Sequence, residues 1–417
     1  MKDGGARTVL VIGGGRDAVP VLRVLRALGH RLVVADGCPD APGFQLADAG
    51  LLAATLDPEA AIEAARAYAS RTRVDAVLGT GRRLALSVAA VAEALGLPAM
   101  PSAGARRLLD RLAVRECLRG GGLTVPPGQA VRCPNDVRAA RDAYGTPLLV
   151  RPIDGWAARG VVRIGPDVDP AWAFHVATTA SPTGQVMCEP FLPGRSLVAV
   201  AVVVGTEPVV VDVSECAHEA RFAPFVIASG CRAPCELTAA QRARIDTAVG
   251  RVVATLGVRD VLCTVELVAG EDEAIVVDVQ VGLTNGRRLA HDIPLAAGIH
   301  PVEAAVRVAL ADPPEPAALR PRWCRPVVEI ALFPTPGTVV GVHHAAEAAA
   351  ADGVTLVDVS AALGSRVCPP TSNLCRGGVV VATGLSAEAA LASARAAAAR
   401  IRIVTEGDPS TRDSRLN

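Results

Sequence analysis

Apolar runs and their breaks divide the chain into strands and helices. The run TVLVI at 8–12 stops at Gly13, Gly14 and Gly15, which predicts a buried strand ending in a tight turn. Val21, Val24, Leu25 and Leu28 then fall on one helical face that ends at Gly29. A second strand, RLVVAD, closes on Asp36, and VDAVLG at 74–79 precedes a helix through VAAVAEALG. Strands alternating with helices at this spacing imply βαβ units and a parallel sheet. From about residue 105 the pattern changes. A helix is expected from Ala105 to Arg119, ended by Gly120 to Gly122, and another near 135–144. PLLVRP (147–152) and VVRI (161–164) flank the turn DGWAARG, a hairpin signal. β-Branched runs recur at 197–204 and 208–213, a helix covers about 238–256, and VLCTVELVAG (261–270) and AIVVDVQ (274–280) are joined by the acidic turn Glu271, Asp272, Glu273. Five prolines between 311 and 326 read as a connection. Beyond them lie the short strands VVEIALF, GTVVGV, TLVDV and GGVVVATG and a helix from Ala387, and the tail TEGDPSTRDSRLN is expected to be frayed.

This pattern gives an α/β and α+β chain with an α/β domain at 1–104, a mixed module at 105–312 containing a subdomain at about 115–190, an α+β portion at 313–404, and a flexible tail at 405–417. The length of 417 residues allows two or three domains. Its 42 basic and 42 acidic residues cancel, which argues against nucleic acid as a partner. The longest apolar run, Leu197 to Val204, has eight residues, short of the roughly 18 a membrane helix needs. No secretory leader is recognisable at the N-terminus, and the eleven cysteines are dispersed, with Cys231 and Cys235 the nearest pair. Reduced thiols in a cytoplasm are therefore expected. Lys2 is the only lysine, so nearly every basic side chain is an arginine.

Two constellations compete for the chemistry. Gly13, Gly15 and Ala18 fit G-x-G-x-x-A, with Asp36 at the end of the next strand, the fingerprint of a dinucleotide site. A doubly wound domain needs such a turn without any cofactor, and nothing downstream suggests hydride transfer. The second constellation has more parts. Arg111 lies on a helix ahead of VPPG, and Arg151 ends a strand before the Asp154–Gly160 turn. CEPFLPG supplies Glu189, Phe191 and Leu192, and Glu266 and Asp278 sit on neighbouring strands, where paired carboxylates suit a phosphate-bound Mg²⁺.

In this order and spacing the chain resembles the ATP-grasp superfamily, in particular carboxylate–amine ligases near the L-amino-acid ligases and biotin-carboxylase-like enzymes. The resemblance covers most of residues 8–404, including DGCPDAPGFQLAD after the second strand and RGGVVVATGLSAEAAL near the end. It implies an ATP-grasp fold behind a Rossmann-like first domain, with ATP and Mg²⁺ (or Mn²⁺) as cofactors. It implies that Arg111 and Arg151 stand where the family has phosphate-binding lysines. Asp154, Gly155, Arg159 and Gly160 would then form the lid, Glu189, Phe191 and Leu192 the adenine hinge, and Ser196 would replace the ribose-binding acid. Glu266, Asp278 and Gln280 match the metal ligands. The family's E-x-N-P-R becomes Asp278, Val279, Gln280, Val281, Gly282, so its arginine is lost, and Arg287 or Arg288 is the expected catalytic substitute. The lid holds Trp156, Ala157 and Ala158 where glycines are usual, and Cys231 stands where relatives often have histidine. Glu215, His218, Glu219 and Arg221 lie in a stretch that could contact substrate; His291 suits proton transfer, and the His343–His344 pair reads as a loop. The implied activity is ATP-dependent amide formation between a small carboxylate and an amine through an acyl phosphate, in bacterial specialised metabolism. Relatives of this kind are often dimers, so a homodimer is an expected assembly. A nucleotide-binding homologue with weak or lost ligase activity and a carboxylating enzyme are the alternatives.

Overall fold

The computed structural model describes residues 5–270 and 273–407; Lys2, Glu271, Asp272 and residues 408–417 of the expected tail lie outside the described residues. In chain order the strands are β1 (Thr8–Ile12), β2 (Arg31–Asp36), β3 (Ala49–Leu52), β4 (Ala76–Gly79), β5 (Gln129–Val131), β6 (Leu148–Pro152), β7 (Val162–Ile164), β8 (Val186–Pro190), β9 (Arg195–Val204), β10 (Glu207–His218), β11 (Ala228–Ala233), β12 (Val261–Ala269), β13 (Ala274–Val281), β14 (Val327–Leu332), β15 (Gly337–His343), β16 (Val354–Val359), β17 (Arg366–Val367), β18 (Gly378–Thr383) and β19 (Arg402–Glu406). The helices are α1 (Val19–Ala27), α2 (Pro58–Ala69), α3 (Ala85–Leu95), α4 (Ser102–Arg107), α5 (Arg111–Gly120), α6 (Pro134–Tyr144), α7 (Pro170–Ala180), α8 (Ala239–Leu256), α9 (Ile293–Ala297), α10 (Pro301–Ala309), α11 (Ala345–Ala349) and α12 (Ala387–Arg400).

These elements form two compact units. The first contains the described residues through Val125, Leu197–Val213 and Glu236–Cys324; the second contains Pro126–Ser196, Ser214–Cys235 and the described residues from Arg325 on. β9 and β10 each contribute residues to both units, and the proline-rich stretch holds the boundary at Cys324.

In the first unit, parallel strands run in the order β3-β2-β1-β4. β1 is buried on both faces, as parallel strands between helical layers are. Val9 and Val11 join Leu32 and Val34 in the core that contains Val21 and Leu22 of α1 and Val302 and Val306 of α10. Leu10 and Ile12 point the other way, into the core with Ala61 of α2 and Val91 of α3. The same unit holds β13-β12-β9 and the first part of β10, backed by the long helix α8. Thr238 and Gln241 close a capping box at the start of α8.

The second unit contains an antiparallel sheet in the order β5-β8-β6-β7, covered by α6 and α7. Its other strands follow the end of β10 in the order β11-β14-β18-β16, with α12 packed on them through Ala390 and Ala394. A small sheet, β17-β15-β19, completes it.

The helix expected over Ala105 to Arg119 is two helices. The first ends at Arg107, and Asp110 caps the second, its Oδ1 accepting the Leu112 and Ala113 N–H groups at 2.8 and 3.0 Å. Among the described residues no helix is long and apolar enough to cross a membrane.

Candidate active site

The first unit assembles a cationic and a carboxylate group on the β12–β13 hairpin. Glu266 stands directly opposite Asp278 in the ladder, and a bulge follows between Glu266 and Leu267. Opposed residues share a face, and so does Gln280, two positions from Asp278. The Gln280 amide donates to Glu266 Oε1 at 2.8 Å. Asp278, 4% exposed, is held elsewhere. Its Oδ1 accepts Arg82 Nη1 at 2.8 Å and the Val279 N–H at 3.0 Å. Its Oδ2 accepts Arg111 Nε at 3.0 Å and Nη2 at 2.8 Å.

Four donors therefore occupy the four lone-pair directions of one carboxylate. Two buried guanidinium groups thus face the one Asp278 carboxylate. Asp278 can enter a metal set only by giving up an arginine. Glu266 and the side-chain oxygen of Gln280 do fit Mg²⁺, which commonly takes one or two carboxylates and completes its shell with water and phosphate. Among the described residues no group of three or more His, Cys, Asp or Glu side chains is placed to hold a metal alone.

Arg82 has no counterpart in the sequence reading. It sits in the turn after β4, 6% exposed, and also donates to the Leu108 carbonyl at 3.0 Å. Its signal was weak: one arginine of a GRR turn in an arginine-rich chain. Asp212 was missed for the same reason, as a lone acid inside a β-branched run. It pairs with Arg288, and both are buried. Arg287 donates from Nη1 to both Asp292 oxygens, at 3.0 and 2.7 Å, and His291 Nδ1 lies 2.9 Å from Oδ1. Burial pushes the Asp292 carboxyl up, but Arg287, the His291 hydrogen bond and Arg288 outweigh it and hold its pKa below the ordinary value. A π-helical turn over Arg288–Asp292 sets these side chains, and such turns recur at functional sites.

The second unit holds the residues expected to form the hinge and the lid. Arg151 on β6 and Glu189 on β8 lie diagonally across the ladder and pair at 3.1 Å, with the Glu189 side chain 3% exposed. The Phe191 N–H donates to the Pro147 carbonyl at 3.0 Å, and the Arg163 guanidinium covers its ring at 4.4 Å. Leu192 is half-buried just beyond it, and Ser196 is half-buried at the start of β9.

The Asp154–Gly160 turn is tied to the residues around it. Asp154 accepts Ser181 Oγ at 2.7 Å and the Thr183 N–H at 3.1 Å. Arg159 stacks on Trp156 at 4.6 Å, and the Ala157 carbonyl accepts the Asn373 N–H at 3.0 Å. Ala157 and Ala158 hold φ values of 52° and 56°, the left-handed region that favours glycine. At Gly160, φ 68°, an added Cβ would lie 2.5 Å from that of Ala180. Gly155 lies in the same turn.

Of the other candidates, Glu215 accepts both Arg195 Nη2 and Arg232 Nη2 at 2.7 Å on Oε2, so it is committed to two cations. His218 ends β10, and Glu219 pairs with Arg221 at 2.5 Å. His343 ends β15, and His344 lies near Glu347 at its loop. Asp36, the acid of the glycine fingerprint, accepts the Gly14 N–H at 2.7 Å and the Cys38 N–H at 2.8 Å. It closes its own turn, one oxygen to each amide.

A family model described as L-amino acid ligase C-terminal domain 2 matches residues 330–406. The L-amino acid ligase from Bacillus licheniformis has a similar structure, with a TM-score of 0.81, 20% identity, and coverage of 96% of this chain and 99% of that one. A biotin carboxylase domain dimer of 2-oxoglutarate carboxylase from Hydrogenobacter thermophilus, solved with MgADP, ADP and bicarbonate, aligns with a TM-score of 0.73 at 16% identity, covering 95% of this chain and 90% of that one. A formate-dependent phosphoribosylglycinamide formyltransferase of Burkholderia thailandensis is 30% identical over 198 residues, 45% of this chain and 46% of that protein. The chain thus spans about half the length of the curated relatives it matches. Over nearly its whole length the chain has the ATP-grasp fold, and its residues 330–406 match the model of the L-amino acid ligase C-terminal domain 2 family.

Proposed function

We propose that the protein is an ATP-dependent carboxylate–amine ligase that forms an amide bond between two small molecules, at least one of them an amino acid. The single observation that carries the amide-forming reading is the match of residues 330–406 to the L-amino acid ligase C-terminal domain, since the fold is shared with carboxylating enzymes. In this reading a substrate carboxylate attacks the γ-phosphate of ATP, giving an acyl phosphate and ADP. An amine then displaces phosphate to give the amide. Splitting the condensation in two replaces one uphill step by two accessible ones.

The chain's own residues have distinct tasks. Phe191 and Leu192, after β8, would flank the base, and Glu189 holds Arg151 in place for phosphate. The lid turn, with Asp154, Gly155, Arg159 and Gly160, would exclude water that otherwise hydrolyses the activated acid. Ser196 follows this segment and would reach the ribose. In the first unit, Arg111 would supply positive charge for phosphate, and Arg287 and Arg288 would hold the substrate carboxylate in place of the arginine missing at Gly282. Arginine retains charge where lysine is usual and can grip phosphate with two parallel hydrogen bonds. Glu266 and Gln280 would hold Mg²⁺, with Asp278 joining them only on releasing an arginine. The ion, when bound with ATP, neutralises charge on the transferring phosphoryl group.

Release of ADP and phosphate by the full chain, measured with pairs of L-amino acids and with bicarbonate or formate as the competing acid, tests the reading. Turnover that requires an amino acid and yields a dipeptide-like amide supports it. Turnover with bicarbonate or formate alone favours the carboxylating or formylating chemistry of the fold. ATP binding with no ADP release under any pairing favours a homologue that has lost the reaction. A homodimer in cytoplasmic conditions is part of this proposal, and sedimentation of the purified chain checks it.

A further inference from the structure

In the second unit, two thiols face each other across a strand pair. Cys216 on β10 is directly opposite Cys231 on β11 in their antiparallel ladder. Residues so placed project to one face, with Cα atoms about 4.5–5.5 Å apart. A disulfide accepts Cα separations of about 4.4–6.8 Å, so the register meets the requirement without moving either strand. Both cysteines are half-buried and reduced, which leaves them accessible to a small oxidant.

Their neighbours reinforce the placement. Glu329 on β14 is opposite Cys231 on the next ladder and pairs with Arg376 at 3.6 Å, which puts a charged pair beside the two thiols. Gly230 lets β14 come close, because an added Cβ would collide with the Glu329 carbonyl. A bulge between Ala217 and His218 lies one residue from the pair. Cys188 faces Gln129 and Val150 on its two sides, and Cys263 faces Val281. Burial pushes both of those thiols up to about 12, and the Cys235 thiol, packed against Arg195 and Glu215, up to about 11. Those three therefore stay protonated and slow to oxidise.

We propose that Cys216 and Cys231 form a modification site, a reversible cross-strand disulfide made by a hydroperoxide. One thiolate attacks the peroxide O–O bond and becomes a sulfenic acid while, after protonation, the distal oxygen leaves as water or alcohol. The second thiol attacks the sulfenic sulfur, and its proton leaves with the hydroxyl as water. Two thiols are oxidised by two electrons and one peroxide is reduced, and a dithiol reductant reverses the change. The bond ties β10 to β11 around the loop they enclose and turns a pair of thiols beside Glu329 into an apolar bridge.

The test uses the full chain, oxidised with a small excess of hydrogen peroxide and compared with a sample kept in dithiothreitol. Thiol titration after denaturation is expected to fall by two from eleven. Peptide mapping without reduction is expected to find Cys216 linked to Cys231, and dithiothreitol to restore both thiols. Cys216→Ser and Cys231→Ser should each abolish the linked peptide. The wild-type map alone decides the matter if either variant fails to fold. An unchanged thiol count, a linkage between other cysteines, or oxidation that stops at a sulfinic acid on one of the two overturns the proposal. None of these readouts involves ATP turnover, so their failure and the failure of the ligase reading are distinguishable.

Discussion

At the scale of single residues, the most constrained group is the Asp278 carboxylate between Arg82 and Arg111. A buried ion pair is costly to break because the remaining charge keeps its desolvation penalty without its partner. Arg82→Met removes one of two cations and leaves Arg111 on the other oxygen, at 3.0 and 2.8 Å. Its expected cost is therefore near the lower end for breaking a buried pair, about 3 kcal/mol. Denaturant unfolding would read this as a lower midpoint, and Arg82→Lys should recover part of it, because one ammonium cannot also reach the Leu108 carbonyl as the guanidinium does. A midpoint unchanged in Arg82→Met would show that Arg111 alone compensates Asp278.

Asp292 gives a pH prediction at the same scale. Its folded-state pKa lies below its unfolded value, chiefly because Arg287 and His291 overcome burial. The folded state therefore prefers the charged carboxylate. The resulting stability is fully present above the unfolded pKa, about 3.9, and is lost as pH falls through the folded value. Melting temperature should decline on acidification below about pH 4 more steeply in the wild type than in Asp292→Asn. Parallel acid limbs in the two proteins would assign the acid sensitivity to other carboxylates.

At the scale of elements, the position of Arg111 depends on a cap. Asp110 starts α5 and places Arg111 at its first position, against Asp278. Asp110→Ala removes two side-chain-to-backbone hydrogen bonds and should cost about 1 kcal/mol. Circular dichroism melts would show the loss, and Asp110→Asn, which retains the accepting oxygen, should restore most of it.

The same cap marks how far the sequence could be read. RLVVAD and the β12–β13 hairpin were legible because strict alternation and β-branched runs set a strand whatever lies around it. The break at Asp110 was not, because ARRLLDRLAV keeps a helical period on both sides and the capping hydrogen bonds depend on local backbone geometry. Several elements of low contrast were also missed: α7 is nearly uniform in hydrophobicity, β3 has four residues, and β19 has five. The candidate site followed the same rule. Glu266 and Asp278 were visible as carboxylates on adjacent strands of a hairpin, whereas Gln280 was picked out only through the family resemblance. The choice of Asp278 for arginine was not visible, because Arg82 lies 196 positions away and nothing in the local pattern joins them.

For the whole molecule, the proposed reaction predicts that ligand binding and stability are linked. A ligand that binds only the folded chain stabilises it by about 2.7 kcal/mol at one hundred times its dissociation constant. The melting temperature of the full chain should rise with ATP, and rise further when Mg²⁺ is added. Glu266→Gln keeps the size of the side chain and its contact with Gln280 but removes the charge available to the ion. It should keep the increment seen with ATP in EDTA and lose most of the additional Mg²⁺ increment. Asp278→Asn should behave differently. Its first effect is to weaken the hold on Arg82 and Arg111, so it should lower the melting temperature before any ligand is added. If Asp278→Asn instead leaves the unliganded protein unchanged and abolishes only the Mg²⁺ increment, the carboxylate belongs to the ion, and the two arginines need another counter-charge. Comparing the two variants with and without Mg²⁺ therefore separates metal ligation from arginine positioning on one hairpin.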